Sequence, residues 1–133
     1  MIVPADVLYE YGSAYTDLTV VTAITIESAS TGMLQANTPN NDTYSFSITA
    51  DFKDRDEIKG LSKGDTCIIS GVVEAMNPIN FLGSGKSVRM NDCHIITGSI
   101  SKSDIEATRQ AQVKFANNRL TEVAQAKAQA IEE

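Results

Sequence analysis

Tyr44, Phe46, Ile48, Ala50 and Phe52 alternate with Ser45, Ser47, Thr49 and Asp51. A two-residue period predicts a half-buried strand over residues 43–52, with its aromatic rings turned inward and a short polar outer face. A similar alternation runs from Leu18 to Ile26, with Leu18, Val20, Ile24 and Ile26 on one face and Thr22 breaking the apolar row. Residues 33–36 predict a short second strand. In residues 66–76, Cys67, Ile69, Gly71 and Val73 share a face. Residues 87–96 predict the last strand. Val88 and Met90 fall out of phase there with Cys93 and Ile95, so a bulge is expected at Asn91 and Asp92.

Between these strands the punctuation is equally readable. Pro4 at a first turn, Val7, Leu8 and Tyr11 on one side and Gly12 as a stop predict a short N-terminal helix. Residues 28–32 and the run Asn37 to Asp42 predict turns. Asp54 and Glu57 form a pair able to cap a short helix carrying Ile58 and Leu61. From Ser103 onward there is neither glycine nor proline, alanine is plentiful, and Ser103 with Glu106 forms a second capping pair. A continuous helix to residue 133 would run about 45 Å, longer than a small barrel is wide.

Strand, strand, strand, short helix, strand, strand is the order of a five-stranded Greek-key OB-fold barrel. The expected class is therefore mainly β with helices. A helical segment occupies residues 1–16, the OB-fold barrel 17–100 and a long C-terminal helix 101–133. Lys63-Gly64-Asp65 leading into a strand with central Gly71, and the Asp92-Cys93 pair near the end of the last strand, resemble bacterial OB-fold proteins of the tRNA-anti-like group. The resemblance covers residues 5–97, including ADVLYEYGSAY as a leading helix and DLTVVTAI as a first strand. It implies an OB fold and invites a nucleic-acid reading. One departure is Thr22-Ala23, where a bend-permitting glycine is common, so curvature of the first strand must arise elsewhere.

The 133 residues fit one domain, and 42% hydrophobic content is ordinary for a globular chain. Eleven Lys and Arg against seventeen Asp and Glu give a net charge of −6. Nucleic-acid binding draws most of its non-specific affinity from basic groups that neutralise phosphates, so this balance disfavours it. No apolar run approaches a membrane span, and the N-terminus lacks the pattern of a signal peptide. As it stands the sequence reads as cytoplasmic; removal of a leader or anchor would make it extracytoplasmic. Cys67 and Cys93 sit in apolar strands, either as two buried thiols or as a disulfide.

Catalytic and metal chemistry is poorly provided for. Gly83-Ser84-Gly85-Lys86-Ser87 imitates part of a phosphate loop, but Asn80 stands where its first glycine belongs and Ser87 opens a strand. His94 is the only histidine, which leaves no metal triad, and no nucleophile–base pair is apparent. No cofactor and no metal are expected, and the chain is not read as an enzyme.

Two features point to binding. The loop between the last two strands carries Phe81 and Leu82, flanked by Lys86 and Arg89, at the border of the usual OB ligand groove. The alternative is that Phe81 and Leu82 fold back over the barrel. Val113, Ala116, Leu120 and Val123 form a stripe on the C-terminal helix, for oligomerisation or for packing on the barrel. The leading expectation is a non-enzymatic interaction module that engages a protein partner or self-associates into a homo-oligomer. The alternative is an oligonucleotide-binding domain in which Lys53, Arg55, Lys59, Lys63, Lys86 and Arg89 cluster.

Overall fold

The computed structural model describes residues 1–38, 46–74, 87–97 and 100–132, with side chains of the last helix described as far as residue 122. Helix α1 (Ala5–Glu10) and a 3-10 helix (Gly12–Tyr15) precede β1 (Thr19–Ser30), β2 (Met33–Ala36) and β3 (Ile48–Asp51). A second 3-10 helix (Arg55–Ile58) separates β3 from β4 (Thr66–Val73), which is followed by β5 (Val88–Ile96), α2 (Lys102–Glu106) and α3 (Arg109–Glu132). The strands close into a barrel in the order β1-β2-β3-β5-β4. The β3–β5 pairing is parallel and the others are antiparallel. This is the OB-fold arrangement, mainly β with helices.

Closure depends on β1, which is shared between two ladders. Thr19 to Thr25 pair with β4, whereas pairing with β2 starts only at Ile26. The register shifts between Ile26 and Ser28, and this irregularity supplies the curvature that the missing glycine does not. The hairpin to β2 turns tightly at Thr31-Gly32, where Gly32 has φ 73°. Inward positions on the five strands are filled by Val20, Ile26, Leu34, Ile48, Ile69, Val88 and Met90, all fully buried.

The expected bulge is present where β5 crosses β4: Ser70 faces His94 and Val72 faces Asn91. Asp92 takes φ 53° there, and its carboxylate meets Lys53 Nζ at 2.8 Å. Gly71 lies under this bulge. A Cβ at that position would stand 2.6 Å from Cys93 Sγ and 3.1 Å from the Asn91 carbonyl oxygen. The central glycine of the sequence motif thus permits the close approach of β5.

Several expectations need correcting. Strand β3 is shorter than predicted. Phe46 lies half-buried ahead of it, Phe52 is buried just after it, and Tyr44 falls outside the described residues. Ser47, expected to face solvent, is fully buried. Its hydroxyl accepts the Thr38 N–H at 2.9 Å, and its own N–H donates to Asn37 Oδ1 at 3.2 Å, so it joins the end of β2 to the start of β3. Cys67 is half-exposed at the start of β4, and both cysteines are free thiols.

Asp54 does cap its 3-10 helix, but Glu57 reaches β5 instead of closing a box. The second box is formed by Ser101 and Asp104 rather than Ser103 and Glu106, and the chain breaks between α2 and α3 instead of running as one helix. Position 101 wins because Asp104 returns its carboxylate to the Ser101 N–H at 2.9 Å.

Two stability measurements check this packing. Gly71→Ala should destabilise the protein by about 1–3 kcal/mol in urea unfolding, with part of the loss recovered in Gly71→Ala/Cys93→Ala. Wild-type stability for the single variant would show that the strands separate at little cost. Thr22 is fully buried and its hydroxyl lacks a hydrogen-bond partner among the described residues. Thr22→Val keeps the shape and removes that polar atom, so stability should rise by about 1 kcal/mol; a fall would mean that the hydroxyl is satisfied.

Candidate functional site

The usual OB ligand face lies on the second and third strands and the flanking loops, and here the chemistry of β2, β3 and the adjoining β5 is self-neutralised. Register places Gln35 beside Thr49 and Thr49 beside Arg89. Arg89 donates from Nε to Asp51 Oδ2 at 2.8 Å, and Glu74 Oε2 lies 3.5 Å from the same nitrogen. Asn91 donates to the other oxygen of Glu74. A guanidinium held by two carboxylates offers little to a phosphate. Of the sequence-predicted cluster, Lys53 is paired with Asp92 and Lys63 with Glu27. Phe81, Leu82 and Lys86 lie outside the described residues.

A concavity among the described residues lies elsewhere, on the seam where β1 is paired with β4 on one side but has not yet met β2 on the other. This cleft of about 280 Å³ is walled by Pro4 to Asp6, by Ala23 to Thr25 of β1, by Ala36 to Thr38, and by Lys102, Ile105 and Arg109 of the C-terminal segment. Its size lies near the lower limit of ligand-binding pockets. Ile105 and Ile48 give it an apolar floor, while Asn37, Thr38 and the ionised groups form a polar rim.

Arg109 organises the rim. Its guanidinium grips Asp6 in a two-point contact at 2.7 and 3.0 Å and Glu106 in another at 3.0 and 2.8 Å. The Asp6 carboxyl is held below its ordinary value chiefly by the hydrogen bond from Arg109, with partial burial opposing. Arg109 is pushed further up by its two carboxylates. Lys102 makes no ion pair among the described residues.

The first half of α3 is docked on its own chain. Tyr15 is fully buried, donates its hydroxyl to Gln112 Oε1 at 3.1 Å, and stacks obliquely on Phe115 with ring centroids 5.7 Å apart. Burial pushes the Tyr15 hydroxyl up to about 12. Ala116 is fully buried, and Val113 and Leu120 pack against the core. Three of the four residues expected at a helix interface are thus engaged within this chain, and Val123 lies beyond the described side chains. The stripe spacing identified the buried face but missed Gln112 and Phe115, whose roles depend on Tyr15 far upstream.

His94 Nδ1 and the Ile95 N–H both meet the Glu57 carboxylate, at 2.9 and 2.8 Å, which straps the Arg55–Ile58 helix to β5. Glu57 is held below its ordinary value, first by the Ile95 N–H and then by His94. Burial pushes the Cys67 thiol up to about 11 and the Cys93 thiol up to about 12, so both stay protonated near neutrality. Among the described residues no cluster of three metal-binding side chains is found, and no helix is long and apolar enough to cross a membrane.

Neither a family model nor a curated protein matches the chain. Among solved structures, the chain is similar to a candidate nucleic acid-binding lipoprotein from Klebsiella pneumoniae, at 17% identity, covering 70% of this chain and 87% of that one, with a TM-score of 0.46. At that level of similarity no role transfers.

The Asp6–Arg109 contact predicts a definite pH dependence. A carboxyl whose folded value is depressed stabilises the fold above its unfolded value of 3.8 and loses that contribution as pH falls through the lower folded value. Asp6→Asn should cost about 1 kcal/mol near neutrality, because the pair is partly solvent-exposed. The gap from wild type should close as pH drops below 3.8. A gap unchanged in acid would show that the contact is not electrostatic.

Proposed function

We propose that this chain is a non-enzymatic OB-fold binding module whose ligand is a protein partner, received at the cleft between α1, α2 and the β1–β2 seam. The observation that carries this reading is the pairing of barrel cations with carboxylates at Lys53, Lys63 and Arg89. Such a wall, on a chain of net charge −6, lacks the footprint that phosphate backbones need. The cleft instead combines an apolar floor with a rim of both charge signs, as protein contacts do. Protonated thiols and a histidine tied to Glu57 supply no activated nucleophile, which favours binding over catalysis.

Self-association through α3 is the weaker form of the proposal, since Val113, Ala116 and Leu120 are engaged internally. Membership of the tRNA-anti-like group rests on Lys63 to Asp65, Gly71 and Asp92-Cys93, residues whose roles here are turn and strand packing.

A nucleic-acid reading is favoured by one observation. Arg55 and Lys59 make no ion pair among the described residues, and both line a shallow hollow of about 310 Å³ beside the Thr31-Gly32 turn. Titration of labelled single-stranded DNA and RNA at low ionic strength decides between the two, because low salt exaggerates phosphate attraction. No binding is expected at protein concentrations of roughly tens of micromolar. Salt-sensitive binding in that range would replace the protein-partner reading.

A further inference from the structure

The seam that forms the cleft also leaves backbone unpaired. Ile26 donates its N–H to Asp65 and accepts from the Gly64 N–H, so even-numbered residues of β1 direct their backbone groups toward β4. Val21 points the other way: it donates to the Met1 carbonyl at 2.7 Å and accepts from the Val3 N–H at 2.9 Å. Alternation puts the N–H and C=O of Ala23 on the same side as those of Val21. The N-terminal residues cover Val21 through the parallel Ile2–Val21 bridge, but Pro4 and α1 then turn away. Pairing with β2 begins three residues further on, at Ile26. Ala23 has no backbone partner on this side among the described residues, and it faces the cleft.

We propose that the cleft receives an extended peptide segment of a partner protein, which pairs through its backbone with β1 at Ala23 and presents a carboxylate to Lys102. The proposal rests on the protein-partner reading above and specifies its mode. Unpaired strand-edge groups are templates for an added strand. The same edge already takes one, since Met1 to Val3 pair with it by the same bonds, and the added segment would continue that pairing toward β2. Apolar side chains of the segment, at alternate positions, would enter the floor at Ile48 and Ile105. Asp6 and Glu106 are both held by Arg109, so Lys102 is the lining cation that lacks a carboxylate.

Amide hydrogen exchange on the free full-length chain tests the edge directly. Ala23 should exchange at least about tenfold faster than Thr22 and Ile24, whose amides face β4. Equal protection would mean that the edge is covered and would overturn the proposal.

Selection from displayed random linear peptides on the full-length chain then tests recognition. Enriched peptides should slow exchange at Ala23 and lose about tenfold or more in affinity for Lys102→Glu, an exposed change that leaves the fold intact. Ala23→Pro removes the same donor without touching the β4 ladder and should act alike where circular dichroism shows a folded barrel. Peptides that bind but ignore both Lys102→Glu and Ala23 exchange would overturn the cleft mode while leaving the protein-partner reading in place. No enrichment, together with oligonucleotide binding, would overturn both.

Discussion

The fold depends on one strand being shared between two neighbours. Strand β1 holds β4 with its first half and β2 with its second, and Ile26 is the pivot between the two ladders. Had β1 followed only one partner, the sheet would have stayed open and Val20, Ile24 and Ile26 would have faced water. The irregularity beyond Ile26 lets the strand change partners without a glycine. The late start of pairing with β2 leaves the seam at Ala23, so the cleft is a by-product of closure rather than an addition to the barrel.

Much of the barrel was legible because a two-residue period is written directly in side-chain chemistry. The alternation of Cys67, Ile69, Gly71 and Val73, and the phase break at Asn91 and Asp92, translate into β4 and the β5 bulge with little loss. Ser47 was misplaced because period alone ranks serine as an outward residue. A buried hydroxyl is tolerated there because Thr38 and Asn37 supply its partners. The cap of α2 lies two residues earlier than expected for a similar reason: Ser101 and Ser103 offer equal propensity, and only the returning Asp104 carboxylate distinguishes them.

The cleft was much less legible. Asp6 and Arg109 are 103 positions apart, and no local pattern links them. The nearest signal was Ala23, a small residue where bulkier strand formers prevail on either side. The electrostatic character of the barrel, by contrast, could be read from composition in sign but not in arrangement. Net charge announced a surplus of acid; the arrangement lies in the pairing of carboxylates with Lys53, Lys63 and Arg89, while Arg55 and Lys59 make no ion pair among the described residues.

The strand β5 has a consequence for how the chain is made. It is the piece that joins β3 to β4, and it begins only at Val88. A chain emerging from the ribosome therefore exposes four strands whose inward faces have no lid until β5 has been synthesised. The Arg109 grip on Asp6 comes later still, which makes fastening the two ends together among the last events of assembly.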